Sequence, residues 1–507
     1  MGPHFLPCPT HDAIRPCCRT KLTADKRKAI AIQALARSAS ISALAADNGV
    51  SRPLIYREDD KARAALDDAF SPTQTDDADK VIFMLPVTRR WLDQTMLGLT
   101  QIARASFRGV IEFMHDILGI SVSLGTVHNV HQWAAQRARA INDNIDLSTI
   151  RVGLHDEIFQ GSQPVLVGVD VGSTYCYLLA PEAHRDGDTW AIHLLDLQKQ
   201  GMVPEYTIAD AGTGLRAGQR IAWPDTPCHG DVFHILQQFK ALANIRTRIA
   251  SGTRSKREEL ETRLANPRRR CEDSLLVATL EALHREEARE HQLASDLRTL
   301  AQWLERDILS LAGPDAAQRQ MLYDFVVDEL LQRESEDLSR IGTLRRALQN
   351  QQDNLLAFVR VLDEKFDAIA RNEGVSADLV RATCVLHRKP ETSTAFWQRW
   401  NRLFAAMGSK FHAVYDAVSQ AMQDTPRSSS LVENLNSRTR TCLSMRRHLS
   451  GGRTWLGLLQ FTFNHRRFVR SRCAYRVGKS PREVMTGQSH PHWLTLLGLG
   501  PLQPKRI

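Results

Sequence analysis

No stretch of this 507-residue chain approaches the roughly 18 consecutive apolar residues that a membrane-spanning helix needs. The first residues, Met1 to Thr20, lack a charged segment followed by an apolar block, so no export signal is read there, and the expected location is cytoplasmic with no membrane partner. Cysteine is scarce as well. Nine residues, an odd number scattered along the chain, fit reduced thiols better than a disulfide framework and suggest no redox function. His4, Cys8, His11, Cys17 and Cys18 lie close in sequence but contain no paired Cys-x-x-Cys spacing, so residues 1–20 read as a flexible tail rather than a zinc site. With 43% hydrophobic and 24% charged residues the remainder has ordinary globular composition, which excludes wholesale disorder, and the length predicts three or four domains.

The net charge of +9 is unevenly distributed. From Arg427 to Ile507 fifteen Lys and Arg face only Glu433 and Glu483, so this stretch carries +13 and the rest of the chain −4. Guanidinium groups interleaved with Trp455, Phe461, Phe463 and Phe468 suit a surface that follows a polyphosphate backbone; the alternative is a solvated charged face.

Near the N-terminus the pattern is that of three short helices: Lys26 to Arg37, Ile41 to Asp47, and a third opening at Ser51 after the Asn48-Gly49-Val50 break. This is helix-turn-helix spacing over residues 21–66, with Arg52, Tyr56 and Arg57 on the helix that would enter a major groove, although such units also serve as plain structural modules. An acidic linker, Asp67 to Lys80, leads to a second helical domain over 81–147. There Phe107 to Leu118, the turn Gly119-Ile120-Ser121 and the helix Ser123 to Arg139 repeat the arrangement. Thr126, His128, Asn129 and Gln132 are placed either to touch DNA or merely to cap and solvate their helix.

From Arg151 the period changes. Val152 to Phe159, Val165 to Val171 and Tyr175 to Ala180 read as strands joined by tight turns. A helix follows from Asp188, its cap, to Gln200, then a strand Glu205 to Asp210, a helix around Leu215, a strand near Cys228 and a helix from Val232. This order predicts an α/β layer with a mixed sheet over 150–240. Between 241 and 425 strands vanish, and Leu344, Leu348, Leu355, Val359, Leu362, Phe366 and Ile369 recur at helical spacing, predicting an all-helical insertion. A last long helix begins near Ser430 in a segment 426–472, and a basic tail covers 473–507.

Three carboxylates stand where such a layer would gather them. Asp156 lies mid-strand among Val152, Leu154 and Ile158, where an uncompensated charge would be costly. Asp210 ends a strand at the carboxyl edge, where open α/β sheets bind ligands. Glu433 shares a helix face with Ser437, Arg440, Ser444 and Arg447, opposite Leu431, Leu435 and Cys442. Three converging acids repel one another, but two Mg²⁺ ions, or Mn²⁺ in their place, would turn them into an oxygen-rich site able to drive displacement at phosphorus.

The ordered combination of the Asp156-Glu157 strand, the Asp-Ala-Gly-x-Gly-Leu run at Asp210, the helical insertion, the SLVENLNSRTRT helix at Glu433 and the later RRHL, FNHRRFVRS and VGKSPRE segments resembles a DDE transposase of bacterial insertion sequences. That resemblance implies an RNase H-like catalytic core preceded by helix-turn-helix domains, with Asp156, Asp210 and Glu433 as catalytic and metal-binding acids. It further implies cleavage at element ends, transfer of the freed 3′-OH into target DNA, and a homo-oligomer that pairs two terminal inverted repeats. Asn434, Asn436, Arg440, Arg446 and Arg447 follow the third acid and would suit phosphate contacts.

Several alternatives stay open. Asp170 is either the first acid or a turn former. Asp231 and His234 are either part of the active-site edge or a helix cap, and Cys228, His229 and His234 would bind zinc only with a fourth ligand. Glu157 points to the opposite strand face from Asp156 and is expected to be paired. Trp397 and Trp400 either stack on a flipped base or belong to a core with Phe396, Leu403 and Phe404. The alternative function is a sequence-specific DNA-binding regulator derived from such an enzyme and lacking its activity; a third is a stand-alone nuclease of the same fold.

Overall fold

The computed structural model describes residues 22–70, 83–265, 273–427, 430–444, 452–471, 473–500 and 505–506. The expected tail 1–20, linker residues 71–80, Arg446 and Arg447 lie outside them. The chain forms two compact units, one ending at Leu85 and including Lys505–Arg506, the other spanning Pro86–Gln503.

In the first unit α1 (Ala24–Leu35), α2 (Ile41–Asp47) and α3 (Arg52–Phe70) enclose a small core of Ile30, Ala34, Leu44, Ala45 and Ile55. Thr23 and Ser40 cap the first two helices, and Gly49 takes φ +62° to turn the chain between α2 and α3. The Ser51 carbonyl accepts from Leu54 and Ile55, so α3 starts where expected, and it runs on through Phe70. Phe83–Met84 pairs antiparallel with Lys505–Arg506.

The second unit opens with α4 (Arg89–Gln101), α5 (Phe107–Leu118) and α6 (Leu124–Asn142), packed around Met96, Val110, Met114 and Val127. Gly119 closes α5 at φ +64°, and Ser123 caps α6, which outruns the expected Arg139 by most of a turn.

A mixed five-stranded sheet follows: β1 (Val152–Gln160), β2 (Gln163–Asp170), β3 (Cys176–Pro181), β4 (Tyr206–Ala209) and β5 (Cys228–Gly230), in spatial order β3-β2-β1-β4-β5. β1 pairs antiparallel with β2 and β2 with β3, whereas β1 with β4 and β4 with β5 run parallel. Alternation along β1 sorts its side chains into two layers. Val152, Leu154 and Ile158 pack with Val432, Leu435, Leu456 and Phe463 from α16 (Ser430–Ser444) and α17 (Gly452–His465). The opposite sheet face packs Leu166, Tyr177 and Ala209 against Trp190, Leu194, Leu215 and Trp223 from α7 (Gly187–Lys199) and around α8 (Thr213–Ala222). The cap of α7 is Asp186, not Asp188 as expected: its carboxylate accepts from Thr189 N at 2.9 Å, and Asp188 falls in the first turn, where an acid also favours the helix dipole.

Between β5 and α16 the described residues contain no strand. α9 (Val232–Leu264) and α10 (Asp273–Trp303) form a long hairpin, and α11 (Ala316–Gln332), α12 (Ile341–Glu373), α13 (Ala377–Leu386), α14 (Thr394–Met407) and α15 (Phe411–Gln423) complete the helical block. α9 begins at Val232, so the expected boundary at 240/241 falls inside a continuous helix. The block docks on the sheet edge where Gly230 meets Leu355; a Cβ at Gly230 would lie 3.0 Å from that side chain. Beyond α17, α18 (Pro481–Thr486) and α19 (Trp493–Leu496) are folded: Trp493, Leu494 and Leu497 pack with Ala134, Ala138, Leu458 and Phe461. Among the described residues no helix is long and apolar enough to cross a membrane.

Candidate metal site

β1 aims Asp156 at the face covered by α16, because residues 152, 154, 156 and 158 share one side of the strand. The carboxylate is 6% exposed. One oxygen accepts from Glu157 N at 2.7 Å, and the other accepts from Asn436 Nδ2 at 2.6 Å, a contact between residues 280 apart in sequence. Asn436 is fully buried, which corrects its expected role as a phosphate contact: its amide faces Asp156, not solvent. One turn earlier on α16, Glu433 is partly exposed, with Oε2 3.6 Å from Arg440, which is half-exposed.

His234, in the first turn of α9, stands among these acids. Its Nε2 lies 3.4 Å from Asp231 Oδ2, 3.8 Å from Glu433 Oε1 and 3.9 Å from Asp156 Oδ2. Attraction to Asp156 in the first place, with the charges of Asp231 and Asp210, outweighs burial and raises the imidazole pKa to about 9. At neutral pH it is therefore an imidazolium ringed by carboxylates, and it supplies the positive charge that Asp156 requires. Asp231 does two jobs: Oδ1 caps α9 through Phe233 N at 2.9 Å, and Oδ2 faces His234.

Asp156, Glu433 and, once it gives up its proton, His234 offer ligand atoms that all lie within 4.8 Å of one another. Asp210 stands outside that group. It follows the last residue of β4, its Oδ1 accepts from Gly212 N at 2.8 Å, and with Asp231, His234 and Gln351 it lines an adjoining cavity of about 130 Å³. Two of the three expected acids thus share a cation-sized space, and the third lines an adjoining cavity that His234 also lines.

No protein-family model and no curated protein matches the chain.

The remaining candidates divide clearly. Asp170 is a turn former: its buried carboxylate accepts from Ser173 N at 2.7 Å. Glu157 is paired, accepting from Arg185 at 2.7 Å and Trp190 Nε1 at 3.0 Å on the other face of the sheet. His229 stacks on Tyr206 with ring centroids 4.2 Å apart, and burial lowers its pKa to about 4; the metal-sized group takes neither His229 nor Cys228. Trp400 packs among Phe396, Phe411 and Tyr415, a core cluster, while Trp397 at its edge is half-exposed. Arg52, Tyr56 and Arg57 are exposed along α3. Asn129 is exposed on α6, whereas the Thr126 hydroxyl is 3.0 Å from that of the capping Ser123. The inclusion of His234 between the acids is the feature that sequence left undecided; the GDVFH run placed it near the acids without showing which way its ring would turn.

Proposed function

We propose that the chain is a DDE-type transposase of an insertion sequence, with an RNase H-like core that cuts DNA at element ends and transfers the freed 3′-OH into target DNA. The observation that carries this reading is the convergence of Asp156 and Glu433, from a central strand and a distant helix, with Asp210 ending the neighbouring parallel strand. The mixed sheet flanked by helices on both faces, interrupted by a helical block before the last acid, supports the same frame.

The donor set suits a hard divalent cation, Mg²⁺ or Mn²⁺, because carboxylate oxygens predominate. Asp156 and Glu433, with Asp210 beside them, would hold two such ions, which when bound activate an attacking oxygen and stabilise a leaving one at phosphorus. The chain's own groups do the positioning. Asn436 fixes the Asp156 carboxylate, Asp231 fixes His234, and Arg440 beside Glu433 is placed to meet a phosphate oxygen through a charge-assisted bond. The tri-helical units, α3 with Arg52, Tyr56 and Arg57 above all, would read the terminal inverted repeats, and pairing of two ends makes a homo-oligomer the working form. The workplace is the cytoplasm, on DNA.

Full-length protein with Mg²⁺ or Mn²⁺ and labelled duplexes from either side of its gene tests this. Nicking and joining are expected, with Asp156→Asn, Asp210→Asn and Glu433→Gln each lowering the rate by several orders of magnitude while duplex binding persists. Specific binding without any cutting by the wild type would instead establish the regulator.

A further inference from the structure

Asp210 keeps one oxygen free. Its Oδ1 accepts from Gly212 N, and among the described residues its Oδ2 has no hydrogen-bond or ion-pair partner. Gln351, on α12, is in a similar state: its Nε2 donates to the Ala347 carbonyl at 3.2 Å, which leaves Oε1 as the uncommitted end of the amide. Both residues line the cavity of about 130 Å³ beside the cleavage acids, together with Asp231, His234 and Gln238. His234 is the one member of that lining able to carry positive charge, and its Nε2 faces Asp231, Glu433 and Asp156. At about 30 Å³ per water the cavity holds roughly four molecules, room for a hydrated ion and far too little for a nucleotide.

The docking of α12 on the sheet edge puts Gln351 there. Ala209 pairs with Gly230 across β4 and β5, so the two strands end side by side, and Asp210 follows the one as Asp231 follows the other. Leu355 packs on Gly230 so closely that a Cβ at Gly230 would lie 3.0 Å from the leucine side chain and 3.1 Å from its backbone N. Gln351 stands four residues earlier on the same face of α12, about 6 Å along the helix. The register is held from behind, where the Tyr323 hydroxyl donates to the Leu348 carbonyl at 2.8 Å and Gln352 donates to Asp324. A residue of the helical block is thereby built into the wall beside a cleavage acid.

We propose that Gln351 completes the second cation position: Asp210 Oδ2 from the sheet and Gln351 Oε1 from the helical block are ligand atoms for one divalent cation, which ties the block to the sheet edge. Amide carbonyl oxygens are ordinary ligands of hard cations, and a neutral one beside carboxylates adds a donor without adding repulsion. Because the two ligands come from different layers of the fold, cation binding and the docking of α12 on β5 are linked, and each strengthens the other by the same free energy. The assignment rests on the reading of the chain as a metal-dependent DNA-cutting enzyme and adds what the helical block contributes to it.

The test titrates Mn²⁺ into full-length protein stripped with EDTA and dialysed, at one fixed pH, and follows the free ion by electron paramagnetic resonance for the wild type, Gln351→Ala, Gln351→Glu, Asn350→Glu and Asp210→Asn. The wild type should bind two ions. Gln351→Ala is expected to weaken one of them roughly threefold to tenfold, and Gln351→Glu to tighten the same one by roughly as much, because ligand charge sets affinity in such sites. Asn350→Glu adds the same charge at the exposed neighbouring position and should leave both ions unchanged. In hydrogen exchange, Mn²⁺ should protect wild-type peptides from α12 around residue 351, and protect them less in Gln351→Ala. Weaker binding in both Gln351 variants overturns the ligand role and marks a packing residue; tightening by Asn350→Glu as large as by Gln351→Glu overturns it as a long-range charge effect. If the alanine variant does not fold, the glutamate variant decides, since lost packing does not tighten an ion. A wild type that binds no Mn²⁺ removes the metal-dependent cutting reading along with this site. Ions that weaken in Asp210→Asn but are indifferent to both Gln351 variants remove Gln351 alone.

Discussion

The hydrogen bond from Asn436 Nδ2 to Asp156 is a buried polar link between β1 and α16, and replacing Asn436 by Asp tests it severely. Both groups are buried and 2.6 Å apart. A hydrogen bond to an ionised acceptor contributes about 1.5–3 kcal/mol, and Asn436→Ala should lose that much. Asn436→Asp loses the bond and sets a second carboxylate against the first; two like charges at about 4 Å repel by roughly 4 kcal/mol at an effective dielectric constant near 20. Taking up a proton will relieve part of this, so the aspartate variant should be less stable than the alanine variant by about 2–4 kcal/mol at neutral pH without divalent cations. Added Mg²⁺ or Mn²⁺ should narrow the gap, since a further oxygen donor improves such a site. Hydrogen exchange in peptides from β1 and α16 reads the difference locally, avoiding the assumption that a chain of two units unfolds in one step. A gap of about 3 kcal/mol is roughly two decades in exchange rate. Equal protection of the two variants in EDTA would show that Asn436 does not hold Asp156, and the site geometry would lose its anchor.

Three other outcomes follow from packing and charge. Burial opposes ionisation of Glu483, but Arg467 and the amides of Ser480 and His490 overcome it and lower its pKa to about 2 from 4.5. Its stabilisation is present above pH 4.5 and lost as pH falls through 2. Because Arg467 is half-exposed, screening reduces this to about 2 kcal/mol, and Glu483→Gln should cost that at pH 7 and nothing near pH 2 in urea titrations. Gly218 lets α8 cross α7: a Cβ there would sit 2.5 Å from Trp190 Cβ and 2.7 Å from Gly187 O, so Gly218→Ala should cost about 1–3 kcal/mol in thermal unfolding. Arg52→Ala and Tyr56→Ala should leave stability within about 0.5 kcal/mol while weakening binding to cognate ends more than to random duplex; equal loss on both would remove α3 from sequence reading.

Much of the frame was legible because its determinants are local. Gly49, Gly119 and Ser123 mark helix ends in the sequence alone, and two-residue alternation separates Asp156 from Glu157 before any fold is known. The misplaced cap of α7 shows the limit of that reasoning: Asp186 and Asp188 are equally good capping residues, and the choice depends on where the chain leaving β3 turns. Asn436 was out of reach for another reason. Helical period puts it on a face, but only the tertiary docking of α16 on β1 decides whether that face meets DNA or a carboxylate. His234 depends on how α9 leaves β5, which is set by the fit of Gly230 against Leu355 in α12, over a hundred residues later.

The basic C-terminal stretch shows why charge counts identify a partner class more readily than a contact. Its excess of +13 suggested a polyanion, yet several of its cations are engaged within the protein. Arg453 pairs with Glu182, Arg467 with Glu483, and Arg476 donates to the Gly172 carbonyl at 2.7 Å. Such groups lose little by remaining where they are and gain little from a phosphate, because an existing acceptor must first be given up. Arg438 is engaged differently again, its guanidinium lying 4.3 Å from the centre of the Phe463 ring. Conversely, a fully exposed arginine binds phosphate only after ordering a long side chain, which offsets much of the attraction. The exposed arginines should therefore contribute mainly to salt-dependent, sequence-indifferent attraction.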